Sequence, residues 1–207
     1  MLTTMEITPS RIEGAWFLSP EQHGDPRGVF LEYYKESKLQ EATGQRLAVQ
    51  QANCSVSARG SVRGIHFADV PPGQAKYVTC FAGAVLDVVV DIRVGSPTFG
   101  QWDCVRLDTT DRRAVYVSEG LGHGFVALED GSTVAYLCST PYDPHREHGV
   151  NPFDADLAID WQLPADELQL SAKDTAAPSL AAALDEGLLP EYSACVEFRK
   201  GLLTDDR

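Results

Sequence analysis

Between about residue 47 and residue 140 the chain runs in short apolar or alternating segments broken by Gly, Pro and Asp, a period-two pattern that marks strands rather than helices. In Leu86-Asp87-Val88-Val89-Val90-Asp91-Ile92-Arg93, residues Leu86, Val88, Val90 and Ile92 share one face, and Asp87, Val89, Asp91 and Arg93 share the other. The first face is a core face. The second is mixed, with Asp87 and Asp91 reading as a structural charge network around Arg93. Lys76 to Phe81 is another strand, joined to this one through Ala82-Gly83 as a hairpin. Further strands fall at Asp103 to Leu107, Ala114 to Val117, Gly124 to Leu128 and Thr133 to Ser139. A strand roughly every ten residues suits an all-β sandwich, barrel or jelly roll.

Two stretches break the pattern. Tyr34 to Ala42 is rich in helix formers and ends at Gly44, and Ser179 to Glu186 follows Pro178 and stops at Gly187, so each predicts a short helix. The β core then lies at about 47–140, with a helical flank at about 175–207. No repeat, low-complexity tract or Pro/Gly/Ser linker divides the sequence, which predicts one domain over 1–207.

Composition narrows the functional classes. A chain of 207 residues is long enough for a core that buries roughly 70% of the unfolded surface. Its 30 acidic and 17 basic residues give a formal charge of -13, which leaves no basic footprint for duplex nucleic acid or anionic lipid. An anionic substrate would therefore need a local cluster of Arg and Lys. The five cysteines, Cys54, Cys80, Cys104, Cys138 and Cys195, are odd in number and form no CxxC pair, as expected in a reducing compartment where most of them serve as small buried residues. The opening MLTTMEITPSRIEG shows no secretory pattern and no stretch is apolar enough to span a membrane, so a soluble cytoplasmic protein is expected.

Among the five histidines, at 23, 66, 123, 145 and 148, His66 has the most suggestive surroundings: an apolar run, Ser61-Val62-Arg63-Gly64-Ile65-His66-Phe67, holding one Arg and one His three apart, with Lys76 just beyond the turn Pro71-Pro72-Gly73-Gln74. Polar side chains facing into a β core are costly unless they are paired or functional, and His66 taken alone fits either case. A cupin-type metal site needs an HxH pair with a nearby Glu converging from one hairpin. Neither His66-Phe67-Ala68 nor His123-Gly124-Phe125 supplies it, and His145-Arg146-Glu147-His148 lies in a polar segment, so no bound metal and no cofactor is expected. There is no GxSxG elbow, GxxxxGK[ST] loop or GxGxxG after a strand, and Gly120-Leu121-Gly122-His123-Gly124 reads as a tight turn between strands. Proton chemistry by side chains is the enzymatic reading that remains.

Eight motifs in order carry a family resemblance: Asp25-Pro26-Arg27-Gly28, Gln51-Ala52-Asn53, Arg63-Gly64-Ile65-His66, Pro71 to Lys76, Leu86 to Arg93, Ser96-Pro97-Thr98-Phe99-Gly100, Gly122-His123-Gly124-Phe125 and Ser171-Ala172-Lys173-Asp174. Over about residues 10 to 192 the chain resembles the dTDP-4-dehydrorhamnose 3,5-epimerases and the related deoxysugar 3- or 5-epimerases of antibiotic pathways. The resemblance implies an all-β, cupin-like jelly-roll barrel with short flanking helices. It also implies a homodimer, and a cofactor-independent isomerase that inverts C3, C5 or both of a dTDP-4-keto-6-deoxyhexose.

In that scheme His66 is the base that removes the proton beside the C4 ketone, Asp174 orients its imidazole, Lys76 meets the enolate oxygen and Tyr136 donates a proton from the opposite face. Arg27, Arg63 and Lys173 match positions that approach the diphosphate and sugar, and Glu32, Gln51, Asn53, His123 and Glu147 match further substrate-binding positions. Two departures, Ala68 where the family often has Gln and the missing Pro in Val117-Ser118-Glu119-Gly120, bring the chain nearer the antibiotic-sugar relatives. Two other readings share the fold: a nucleotide-sugar-binding jelly roll without catalysis, and a metal-dependent cupin.

Overall fold

The computed structural model describes residues 5–204. The chain opens with β1 (Met5–Pro9) and β2 (Ala15–Pro20), then a small hairpin of β3 (His23–Asp25) and β4 (Gly28–Phe30), and the helix α1 (Glu36–Thr43). There follow β5 (Gln51–Ser57), β6 (Val62–Ala68), β7 (Lys76–Ala82), β8 (Ala84–Val90), β9 (Trp102–Asp108), β10 (Ala114–Val117), β11 (Gly122–Ala127), β12 (Ser132–Cys138) and β13 (Glu147–Gly149). The helices α2 (Ala172–Thr175), α3 (Leu180–Asp185) and α4 (Tyr192–Thr204) close the chain.

Two antiparallel sheets face each other, one in the order β1-β2-β10-β7-β12-β5 and the other β13-β6-β11-β8-β9, while β3 and β4 pair only with each other. This is the double-sheet jelly roll that the resemblance implies, one of the three architectures the strand spacing suits. Two expectations change. Strands β1 and β2 extend the six-stranded sheet, so strand structure is not confined to 47–140. And β7 and β8 are not a hairpin: β7 pairs with β10 and β12, β8 with β9 and β11, so Gly83 turns the chain from one sheet to the other. Gly83 has φ +69, and a Cβ there would lie 2.6 Å from the Ser132 hydroxyl, which leaves space only for glycine.

The two faces of β8 serve two different cores. Val85 and Val89 pack inside the sandwich with Val78, Val105, Leu107, Val115, Phe125 and Val134. Leu86, Val88, Val90 and Ile92 face outward, onto Val150, Leu157, Trp161, Leu180 and Ala183. The regular apolar face of the sequence is thus covered by the segment after β13 and by α3, while the mixed face looks into the barrel. A strand buried on both sides is no longer half polar, and every residue of β8 is buried.

Helix α1 seals a third cluster on the outside of the six-stranded sheet through Leu39, against Leu18, Leu47, Tyr77 and Tyr116. Gly44 ends it in the left-handed conformation at φ 68, and Ser179 caps α3 by accepting a bond from the Ala182 amide. Both predicted helices form. Helix α4 packs Cys195 and Arg199 inward, the Arg199 guanidinium lying between Glu13 and Ser118. Among the described residues no helix is long and apolar enough to cross a membrane.

Candidate active site

The six-stranded sheet contributes one wall. Along β7, Lys76 shares the inward face with Val78 and Cys80, and β12 sets Cys138 opposite Lys76 and Tyr136 opposite Val78. Strand β5 continues the row, with Asn53 opposite Tyr136 and Gln51 opposite Cys138. Alternation therefore gathers Lys76, Tyr136, Asn53 and Gln51 into one polar patch.

The facing wall depends on an irregularity. On β6, Arg63 lies opposite Phe125 and His66 opposite His123, so that two residues of β6, Gly64 and Ile65, face the single Gly124 of β11. The extra residue is a bulge, which turns Arg63 and His66 to the same cavity despite their odd spacing. Glycine makes it possible: a Cβ on Gly124 would lie 2.8 Å from Ile65 Cδ1 and 2.9 Å from the Arg63 carbonyl, so the two strands approach too closely for any side chain there. The run Gly122 to Gly124 is thus strand rather than the predicted turn, and its glycines serve strand packing.

Between the walls lies a cavity of about 420 Å³ whose lining includes His66, Lys76, His123, Tyr136, Arg63, Lys173 and Asp174. A second cavity of about 440 Å³ shares His66, Lys76 and Tyr136 with it and adds Gln51, Asn53, Glu147, Gln74 and Tyr142. Ten of the twelve residues singled out in the sequence therefore meet at one place. Arg27 and Glu32 do not. The β3–β4 hairpin stands apart, Arg27 is 90% exposed and bonded to Asp25, and Glu32 pairs with Lys35 at 3.3 Å. Nothing in the sequence distinguishes a motif that enters its own cavity from one that projects away.

The imidazole of His66 is held from behind, its Nε2 2.7 Å from Asp174 Oδ1. Burial works to raise the Asp174 carboxyl, but the bonds from His66 and Ser171 outweigh it and hold the group below the usual carboxylate range. An ionised carboxylate only accepts, so Nε2 donates and the lone pair sits on Nδ1, the arrangement a general base needs. Burial also pushes the Tyr136 phenol up, which keeps it protonated and able to donate. The inward face of β8 carries Asp87, which the sequence places in a charge network around Arg93. Asp87 does not join Arg93; its carboxyl lies 2.9 Å from His123 Nε2, and burial raises it against the opposing pull of His123 and Lys76. Only Asp91 forms the expected pair, with Arg93 Nε and Nη2 each at 2.8 Å and further bonds from Ser96 and Thr98.

Ser171 stands in the motif Ser171-Ala172-Lys173-Asp174 without a role of its own in the sequence, although Ser-x-x-Asp before a helix is a capping pattern that points to one. Among the described residues no group of three or more His, Cys, Asp and Glu side chains is placed to hold a metal ion. The cavity's formal charges are those of Arg63, Lys76 and Lys173 against Asp174, with the buried Asp87 behind His123. It can bind an anion, remove a proton at His66 and deliver one from Tyr136.

Comparison with known proteins agrees in sequence and in shape. Residues 9–182 match the family model described as dTDP-4-dehydrorhamnose 3,5-epimerase. A dTDP-4-dehydrorhamnose 3,5-epimerase of Mycolicibacterium smegmatis is 58% identical over 198 residues, covering 95% of each chain. The crystal structure of a 4-keto-6-deoxy sugar epimerase from the novobiocin biosynthetic gene cluster of Streptomyces spheroides superposes with a TM-score of 0.90 at 59% identity, over 93% of this chain and 96% of that one. A 3'-monoepimerase from Streptomyces bikiniensis in complex with dTDP-quinovose gives 0.89 at 49% identity, over 93% and 97%.

Proposed function

The chain belongs to the dTDP-4-dehydrorhamnose 3,5-epimerase family, and from that premise we propose that it epimerises a dTDP-4-keto-6-deoxyhexose at C3, C5 or both, in the making of a deoxysugar of the kind built into antibiotics. The observation that carries the reading is the His66–Asp174 pair, 2.7 Å apart in a cavity that also presents Lys76 and Tyr136.

The ketone acidifies the hydrogens on its neighbouring carbons. His66 Nδ1 takes one of them, and the Asp174 carboxylate stabilises the imidazolium that forms; such a positioned base is worth about 10²–10⁴-fold. Negative charge moves to the C4 oxygen, where the Lys76 ammonium meets it. Tyr136, on the opposite sheet, returns a proton to the other face of the carbon and completes the inversion. Arg63 and Lys173 hold the diphosphate by paired contacts, and Gln51, Asn53, His123 and Glu147 hold the sugar and nucleoside.

The protein acts as a homodimer in this reading, with the whole chain as one domain. Arg27 and Glu32 serve the cavity of the partner, which is supported by their distance from their own and by Phe30, 66% exposed at the end of the same hairpin. The five free thiols support a cytoplasmic place of action.

Incubation with the dTDP-4-keto-6-deoxyhexose in D₂O tests the reading. Proton NMR is expected to show loss of the C3 signal, the C5 signal or both, at a rate abolished by His66→Asn. Retention of both hydrogens by the wild-type protein would sink the proposal.

A further inference from the structure

Helix α2 is only four residues long, too short to persist by its own hydrogen bonds, yet it carries the carboxylate on which His66 depends. What fixes it is the residue before it. Ser171, at the N-cap with φ -69 and ψ 158, accepts a bond from the Asp174 amide at 3.1 Å. The same hydroxyl lies 2.9 Å from Asp174 Oδ2.

In the usual capping box the acidic side chain at the third helical position returns to the backbone amide of the cap. Here the carboxylate instead turns inward and divides its oxygens: Oδ2 takes the Ser171 hydroxyl, Oδ1 faces His66 Nε2 at 2.7 Å. One hydroxyl thus holds both the backbone and the side chain of the aspartate. The segment entering the helix is itself strapped to the start of β6, since the Val62 amide donates to the Gln169 carbonyl and the Gln169 amide to the Gly60 carbonyl, both at 2.9 Å. Base and orienting carboxylate therefore hang from one frame, 108 residues apart in sequence.

We infer that Ser171 is a positioning residue for the epimerase reaction: its hydroxyl, by occupying Asp174 Oδ2 and capping α2, fixes Oδ1 on His66 and so sets the orientation and basicity of the imidazole. The inference rests on His66 being the base. Its physical content is a bond donated to a carboxylate, which spreads the negative charge and weakens that carboxylate's hold on the imidazolium proton. Removing the donor raises the proton affinity of His66 and loosens its geometry together. A second carboxylate in place of the hydroxyl raises it further, since like charges side by side hold protons more tightly.

Three substitutions separate these effects. Ser171→Thr keeps both bonds, Ser171→Ala loses both, and Ser171→Asp keeps the cap acceptor but replaces the donor with a charge. Two readouts apply: the pH profile of solvent exchange into the nucleotide sugar, and the titration of the His66 imidazole by NMR on labelled protein without substrate. The Ala variant is expected to lose roughly 10-fold in kcat with KM little changed. Its His66 midpoint moves upward, the Asp variant's moves further, and the Thr variant matches wild type in both readouts. If wild-type protein exchanges but the Ala and Asp variants equal it in rate and in His66 midpoint, the role of Ser171 is overturned and the epimerase reading stands. Wild-type protein that does not exchange overturns the epimerase reading and this role with it.

Discussion

His66 and His123 lie directly opposite each other across the β6–β11 pair, each backed by a carboxylate from a different part of the chain: Asp174 from α2 at 2.7 Å and Asp87 from β8 at 2.9 Å. The two pairs differ in surroundings. Asp174 sits at the cavity wall with two donors and is held ionised, whereas Asp87 is fully buried and its carboxyl is driven upward. One fold thus backs the proposed base, His66, with an ionised carboxylate at the cavity wall and His123 with a deeply buried one.

In the proposed reaction Tyr136 and His66 act on opposite faces of the sugar ring, so losing one need not abolish the step performed by the other. Tyr136→Phe is expected to lower net inversion by roughly 10²-fold or more while solvent exchange at the attacked carbon remains measurable. Comparing product formation with deuterium uptake by NMR checks this; parallel loss of both would remove Tyr136 from the role of donor.

Arg27 contributes to the partner's cavity in the proposed dimer. Arg27→Ala and His66→Asn proteins, each weak or inactive at low substrate, are expected to restore activity when unfolded and refolded together. A mixed dimer has one cavity with an intact His66 and an intact partner hairpin, giving about a quarter of the wild-type rate on random mixing. Failure to recover activity, with dimers confirmed by ultracentrifugation, would return Arg27 to the surface.

Asp91 and Arg93 are both fully buried and bonded to each other. Asp91→Asn leaves the guanidinium without its counter-charge and is expected to cost about 3–5 kcal/mol in denaturant unfolding at pH 7. Burial alone would raise Asp91, but the bonds from Arg93, Ser96 and Thr98 lower it. The unfolded chain therefore binds this proton more readily than the folded one, so the pair's stabilisation is present above about pH 4 and is lost as pH falls through the lower folded value.

Glu119 has the opposite sign. It is buried beneath Gly73 with one carboxyl oxygen unpartnered, and burial raises its pKa. The folded state keeps this proton longer than the unfolded state, so stability is full below about pH 4 and declines as pH rises towards the folded value. Glu119→Gln should flatten that decline, measured as denaturant midpoints from pH 5 to 8.5; an unchanged slope would show that Glu119 does not contribute to it.

Gly124→Ala tests the close approach of β6 and β11. The added methyl meets both Ile65 and the Arg63 carbonyl within 3 Å, so β6 must shift. The expected cost is about 1–3 kcal/mol in thermal or denaturant unfolding, with a larger loss of exchange activity as His66 moves from its partners. Activity equal to wild type would mean that the bulge does not set the position of His66.

The sequence by itself determined the β class, most strand positions and the two short helices, because alternation, capping and turn chemistry are local; the polar side chains of the cavity were legible through the ordered motifs shared with a family. His66, Lys76 and Tyr136 fall on strands whose pattern is readable along a few residues. Tertiary structure decided the rest. Which face of β8 meets the barrel depends on what covers the other face, and the cover, from Val150 to Ala183, lies far along the chain. Whether Lys76 to Ala82 forms a hairpin with the next strand depends on pairing partners on β10 and β12, so Gly83 reads as a hairpin locally and is a corner between sheets in the fold. Asp87 could be matched with Arg93 by proximity in sequence, but only the antiparallel pairing of β11 with β8 brings His123 to it. Placement of Arg27 and Glu32 outside their own cavity followed from the path of a hairpin that no local preference fixes. Short-range chemistry is written in the order of the residues, whereas the contact between His66 and Asp174 joins segments brought together only by burying a common core.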